Sequence, residues 1–309
     1  MAAYVELQSL INLQYEAKGF SFLPRQPIHS LLSGHHSSRV RGRGLDFEEL
    51  RAYIPGDDIR TMDWHVTARM QKPFVRVFTE ERDRPALIAL DQRLNMFFGS
   101  RVSTKSVTAA EIAALAAWRV FHQGDRIGAI VFNDSQIEEI KPLRSRANVL
   151  RILEKSVEQN HRLSAGSTDE VNSAILNEVL RRISRIAQHD FTILLVSDFY
   201  GADATAEKLL LDLSQHNDII AALVYDPLAA KLPSAGELVV SNGELQVELQ
   251  FGREHIRKSL LEASDKRIRN ILSWQKKFDI PVLPVNTAED TAMQVRHLLG
   301  QAVAVRRQV

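Results

Sequence analysis

The chain has 309 residues, 45% hydrophobic and 25% charged, and its 39 basic and 38 acidic side chains leave a formal net charge of +1. That composition belongs to a folded globular chain, and the charge balance provides no overall field to draw it to nucleic acid or to an anionic membrane. With no cysteine, disulfides, thiolate zinc sites, iron-sulfur clusters and cysteine nucleophiles are excluded, so any metal would need His, Asp, Glu, Ser or Thr ligands.

The opening, MAAYVELQSLINLQYEAKGF, is a short amphipathic stretch without the basic and apolar regions of a signal peptide. No run reaches the ~18 apolar residues of a membrane span. These features predict a cytoplasmic protein without membrane insertion. Residues 1–85 show no strand and helix alternation and read as an N-terminal arm packed on the domain that follows, with 74–80 (FVRVFTE) alternating like a strand.

From residue 86 to 309, short β-branched runs alternate with helical patterns, as in crossovers feeding a mostly parallel sheet. Strands are expected at 86–91, 126–132, 137–143, 191–197, 218–225 and 281–286. The second and third are separated only by NDSQ, too short for a helical crossover, which predicts an antiparallel hairpin. Helices are expected at 107–122, 146–160, 169–188, 204–216, 253–278 and 289–299, with Thr168 as the N-cap of the third. An Asn242-Gly243 turn between alternating runs marks a β-hairpin inserted at about 236–251. The expected fold class is therefore α/β, an open sheet with helices on both faces and one antiparallel strand.

Ligands of open α/β sheets sit beyond the carboxyl ends of the strands. Asp91 closes the first strand, Asp198 closes the strand TILLVSD, and Thr168 opens the helix that precedes that strand, a sensible partial oxygen set for Mg²⁺. This order of elements, with GSTD and LVSDF, resembles the von Willebrand factor A fold and its metal-ion-dependent adhesion site. The resemblance implies a D-x-S-x-S element, a Thr and an Asp. Here the first element reads Asp91-Gln92-Arg93-Leu94-Asn95, so both serines are replaced, while Thr168 and Asp198 match. A guanidinium cannot ligate a cation and brings its own positive charge. Arg93 is expected to substitute for the ion by pairing with Asp91 or Asp198, supported by Asn95 and Thr168. The alternative is an Arg93 turned to solvent and a weak Mg²⁺ site on Asp91, Asn95, Thr168 and Asp198.

Residues 34–84 carry a second signature: Gly42-Arg43-Gly44, the F-x-x-L-R-x-Y-x-P-G-D-D-x-R run from Phe47 to Arg60, Asp63-Trp64, Ala68-Arg69, and VRVFTEER from Val75 to Arg82. It closely resembles that of domain-of-unknown-function family 58, von Willebrand A-like proteins often encoded beside MoxR-type AAA+ ATPases. The stretch holds ten Arg or Lys against nine Asp or Glu, so its charges can satisfy one another. A network of Arg43, Arg51, Asp57, Asp58, Arg60, Asp63 and Arg69, with Trp64 beside it, would fix the arm or present a surface to a partner. A turn is expected at Pro55-Gly56. Trp64 and Tyr53 are expected to anchor by burial. His35, His36 and His65 show no metal-ligand spacing.

The resemblance implies a non-enzymatic adaptor that works with a MoxR-type AAA+ ATPase on a client protein, without a cofactor of its own. No G-x-x-x-x-G-K-S/T or strand-following G-x-G-x-x-G is present. Two alternatives stand beside it. One is a metal-dependent hydrolase using Asp57, Asp58, Asp63 and Asp198. The other is RNA binding through Arg39, Arg41 and Arg43, which lack an aromatic stacking platform, so no nucleic-acid partner is expected.

Overall fold

In the computed structural model of the chain, residues 2–17, 45–80, 84–164, 171–229, 237–241, 246–250 and 254–305 are described. They divide into two units, Gln26–Asp83 and Met1–Arg25 together with Arg84–Val309. The first helix, α1 (Leu7–Asn12), lies in the larger unit, where Val5, Leu10 and Ala17 enter the core and Trp118 Nε1 donates to Leu10 O at 3.0 Å. This revises the expected arm over 1–85: its amphipathic opening is part of the sheet unit, because its apolar side chains are buried there.

The small unit is a two-stranded antiparallel sheet of β1 (Leu45–Ala52) and β2 (Phe74–Glu80), with Ala52 opposite Phe74 and Leu45 opposite Glu80. Its connection starts with the predicted turn, in which Asp57 N–H donates to Ile54 O at 3.0 Å and Gly56 has φ +111°. Only a residue without Cβ takes that angle cheaply. A 3-10 turn at Ile59–Thr61 and the helix α2 (Trp64–Met70) follow. Asp63 caps α2 by accepting from His65 N and Val66 N, both at 3.0 Å, which satisfies two of the helix's open donors. The expectation for Trp64 fails: at the first helical position its ring is 65% exposed, whereas Tyr53 is half-buried.

The larger unit continues as β3 (Ala86–Asp91), α3 (Lys105–His122), β4 (Ile127–Phe132), β5 (Ile137–Leu143), α4 (Arg146–His161), α5 (Ile175–Ile186), β6 (Thr192–Ser197), α6 (Ala204–Ser214) and β7 (Asp218–Tyr225). Then come the hairpin β8 (Glu237–Ser241) and β9 (Gln246–Gln250), α7 (Glu254–Phe278), β10 (Val282–Asn286) and α8 (Thr291–Val305). The six-stranded sheet has the order β10-β7-β6-β3-β4-β5, parallel throughout except for β5, which pairs antiparallel with β4. This is the mostly parallel, doubly wound α/β architecture, with one antiparallel strand, expected from the strand and helix alternation.

Side-chain alternation along each strand sets the layers. On β3, Ala86, Ile88 and Leu90 join one core with α1, α3, α4 and α8, while Leu87 and Ala89 join a second core with α5, α6 and α7. Both faces being covered explains why the central strands are continuous apolar runs. Two helix boundaries depart from expectation by about a turn and a half: α8 runs on to Val305 instead of ending near 299, and α5 starts late. Helix α5 starts at Ile175, not near 169, and its preceding residue provides no side-chain cap. The backbone just before it is held elsewhere, since Asn172 N donates to Asp134 Oδ1 at 2.9 Å and Asn172 O accepts from Arg93 Nη1 at 3.3 Å.

Candidate functional site

Strands β4 and β5 extend the sheet on one side of β3, and β6, β7 and β10 extend it on the other, so the winding reverses between β3 and β6. Such a reversal leaves a crevice outside the carboxyl ends of the two strands. Asp91 ends β3 and Asp198 directly follows β6, which brings the two carboxylates to that crevice across a long stretch of sequence.

Asp91 is fully buried and so is Arg93. Arg93 donates from Nε to both carboxylate oxygens at 3.0 and 3.1 Å, from Nη2 to Oδ2 at 2.7 Å, and from its backbone N to Oδ1 at 3.0 Å. Ser197 Oγ adds a donor to Oδ2 at 2.6 Å. The other end of the guanidinium is used as well, Nη1 donating to Tyr200 O at 3.1 Å, and its plane lies 5.7 Å from the Phe132 ring centroid. Arginine suits this place because its rigid fork donates in several directions at once.

Asp198, also buried, is served by different groups. Lys105 Nζ donates to Oδ2 at 2.5 Å, while Asn95 Nδ2 and Tyr200 N donate to Oδ1 at 2.8 and 2.9 Å. Arg267 Nη1 stands 4.0 Å from Oδ2. A third carboxylate, Asp134 in the β4–β5 turn, accepts from Leu94 N at 2.6 Å and from Asn172 N at 2.9 Å.

Burial penalises every one of these charges, and the outcome depends on what faces each. For Asp198, desolvation pushes the carboxyl up, but the charges of Lys105, Arg267 and Arg93 outweigh it and hold the carboxyl well below the usual carboxylate range. For Arg93, desolvation works against the charged form and is overcome by the charge and hydrogen bonds of Asp91, with help from Asp198 and Asp134, so its pKa is raised. Asp134 makes no ion pair among the described residues, and burial raises its pKa.

This donor set does not fit the divalent ion that the von Willebrand A resemblance implies. Mg²⁺ needs several free oxygen ligands in near-octahedral geometry. Here the oxygens of Asp91 and Asp198 already accept from a guanidinium and an ammonium, whose charges would repel an incoming cation. Asn95 Oδ1 is buried without a hydrogen-bond partner, a single acceptor where a site would need several. Among the described residues, no three His, Asp or Glu side chains cluster as metal ligands do. Thr168 lies outside the described residues.

The structure therefore brings Asp91, Arg93, Asn95 and Asp198 together. In the small unit, Arg51 pairs with Asp57 through two bonds of 2.8 Å, and Asp63 pairs with Arg76 at 2.8 Å. Asp58 accepts from Arg60 N at 2.9 Å, whereas the side chains of Arg60 and Arg69 are exposed. Arg43, with Arg39, Arg41, His35 and His36, lies outside the described residues, as does the Asn242-Gly243 turn. Sequence reading missed Lys105, Ser197, Asp134 and Arg267. Lys105 carried a usable signal, a cation in the first turn of an otherwise apolar helix, where the helix dipole disfavours positive charge.

No helix among the described residues is long and apolar enough to cross a membrane. Uncharacterized proteins of Mycobacterium bovis and Mycobacterium tuberculosis are each 26% identical to this chain over 267 residues, covering 86% of it and 82% of their own length. Among solved structures, the conserved hypothetical protein BatB from Bacteroides thetaiotaomicron has a TM-score of 0.39 at 12% identity, covering 72% of this chain and 99% of that one. An aerotolerance-related membrane protein from Bacteroides fragilis, carrying multiple mutations to serine, has a TM-score of 0.40 at 12% identity and the same coverage. The sequence profile of the family described as "Protein of unknown function DUF58" matches residues 49–269, spanning most of the small unit's described part and the sheet through β7. The chain belongs to that family.

Proposed function

We propose that this protein is a non-enzymatic interaction module that works with a MoxR-type AAA+ ATPase on client protein complexes, and that it does so without a divalent ion. One observation carries the reading: both strand-end carboxylates are neutralised from within, Asp91 by Arg93 and Asp198 by Lys105. A general base needs a free oxygen within reach of the proton it takes, and a metal-activated water needs open ligands. Carboxylates saturated by cations supply neither. What they do supply is rigidity, since a closed hydrogen-bonded network fixes the loops after β3, β4 and β6 that surround the crevice.

The hydrolase reading asks Asp57, Asp58, Asp63 and Asp198 to be available together. Asp57, Asp63 and Asp198 each hold a cationic partner, and Asp58 is occupied by capping the 3-10 turn. The choice of a AAA+ ATPase rests on the family resemblance of residues 34–84, and a cytoplasmic location is part of the same proposal, since ATP is held there.

The purified protein is expected to co-elute with a MoxR-type ATPase in size-exclusion chromatography and to change its ATP hydrolysis rate, both unaffected by chelating divalent ions from the adaptor beforehand. Absence of both effects at micromolar concentrations of the two proteins sinks the adaptor reading. Recovery of either only after Mg²⁺ is returned to the adaptor sinks its metal-independent part.

A further inference from the structure

Beside the strand-end crevice, the loop after β6 and one side of α7 enclose an open groove of about 570 Å³. Its floor is apolar, formed by Phe199 and Ile271, both buried, and by Ala202. Its rim is cationic, formed by Lys266, Arg267 and Arg269, and among the described residues its lining contains no carboxylate.

Arg267 is the informative residue. Its side chain is 32% exposed, and its guanidinium makes no hydrogen bond among the described residues. Nη1 stands 4.0 Å from Asp198 Oδ2, beyond hydrogen-bonding distance, and Nε is buried without a partner. The guanidinium is thus a loose ion-pair partner of Asp198 that stays partly open to solvent in the groove, with capacity left to take up a further acceptor.

It is also held in place. Its plane lies 5.9 Å from the Tyr200 ring centroid, and Tyr200 O is fixed by Arg93 Nη1 at 3.1 Å. The loop bearing Tyr200 is itself constrained: Phe199 has φ +54° and packs edge-on against Trp274, and Gly201 has φ +81°. A Cβ at Gly201 would stand 2.7 Å from Ser173 O. A cation positioned in advance loses little freedom on binding.

We infer that this groove docks an acidic segment of a partner protein, a carboxylate of that segment being held by Arg267 and Lys266 while a neighbouring apolar side chain seats on Phe199 and Ile271. The inference rests on the interaction-module reading and names a surface and a partner chemistry for it. Carboxylate matches the guanidinium fork in shape as well as charge. An apolar floor with a charged rim is the anatomy of a protein docking site. A single-stranded nucleic acid would want a bare aromatic face, and the exposed aromatic here, Tyr200, is already covered by Arg267.

The test uses the full chain and a short fluorescein-labelled peptide of alternating Glu and Leu, with Gln-Leu and Lys-Leu peptides of the same length and an oligouridine as controls, read by fluorescence anisotropy. The Glu-Leu peptide is expected to bind in a salt-sensitive manner. Binding should weaken at least about tenfold in Lys266→Glu/Arg267→Gln and stay unchanged in Lys141→Glu, a substitution on the sheet's opposite edge strand. Circular dichroism of each variant checks folding, and Lys266→Glu alone, at an exposed position, serves if the double variant fails to fold. Equal binding of the Gln-Leu peptide, tighter binding of oligouridine, or equal weakening in Lys141→Glu overturns the inference. Co-elution with the ATPase separates the two readings: if it persists in a folded groove variant that no longer binds the peptide, the groove is not the ATPase's docking site and the adaptor reading stands. If the peptide binds while wild type ignores the ATPase, the choice of partner fails and the groove stands.

Discussion

The strand ends of the larger unit and the connecting loop of the small unit use the same chemical pair in opposite settings. Arg93 and Asp91 are both 0% exposed, whereas Arg51 and Asp57 retain 38% and 20% exposure. Both pairs are short and multiply hydrogen-bonded. Geometry alone would rank them as equals. The difference is the solvent, because water screens and competes for an exposed pair, whereas a buried charge that loses its partner has nothing else to turn to. The buried pair is thus the one whose halves depend on each other.

Substitutions can break that comparison. The largest effect is expected for Arg93→Leu, which strands a buried carboxylate and should cost about 3–5 kcal/mol in denaturant-induced unfolding. Asp91→Leu/Arg93→Leu should recover much of the loss, since removing both charges also removes their desolvation penalty. A single substitution as mild as the double one would show that water reaches the site.

Lys105→Met is expected to cost less, roughly 2–3 kcal/mol, because Asp198 keeps donors from Asn95 and Tyr200 and the nearby charge of Arg267. It also has a pH signature. Asp198 in the folded protein lies well below its unfolded value of about 4, so its contribution is present above that pH and is lost as the pH falls through the folded value. The wild-type protein should therefore lose stability as the pH drops below about 4. In Lys105→Met the folded carboxyl moves up toward its unfolded value, and the slope contributed by this group should flatten. An unchanged slope would mean that Lys105 does not set the charge of Asp198.

The smallest effect is expected in the small unit. Arg51→Gln leaves Asp57 partly exposed and still accepting from Ile54 N at 2.9 Å, so the melting transition should barely move and should become less sensitive to salt. A loss as large as that of Arg93→Leu would erase the contrast between the two regions.

Much of the larger unit is legible along the chain because its signals are local. NDSQ is too short for a crossover, and in the fold Asn133 N donates to Gln136 O at 3.0 Å while Asn133 Oδ1 accepts from Ser135 N and Gln136 N. The apolar runs that became β3, β6 and β7 are strands buried on both faces, and their lengths leave no room for helices. The start of α5 is not legible because a favourable cap sequence competes with tertiary hydrogen bonds to Asp134 and Arg93, and those bonds win. The exposure of Trp64 is not legible for a related reason: a large ring signals burial only when a surface faces it, and at the start of α2 this residue is largely exposed.

Within the larger unit, the sequence by itself determined where the strands and most of the helices fall, that one strand runs antiparallel, and that Asp91 and Asp198 each stand at the end of a strand. It also displayed Arg93 two residues beyond Asp91, close enough for its backbone and side chain to reach the same carboxylate. Only the tertiary structure decided that Lys105 from the start of α3 and Arg267 from α7 converge on Asp198, and that Asp134 turns back to hold Leu94 and Asn172. Periodicity reports which way the backbone faces. The partner of a buried charge is set by whichever long side chain the packed helices bring within reach.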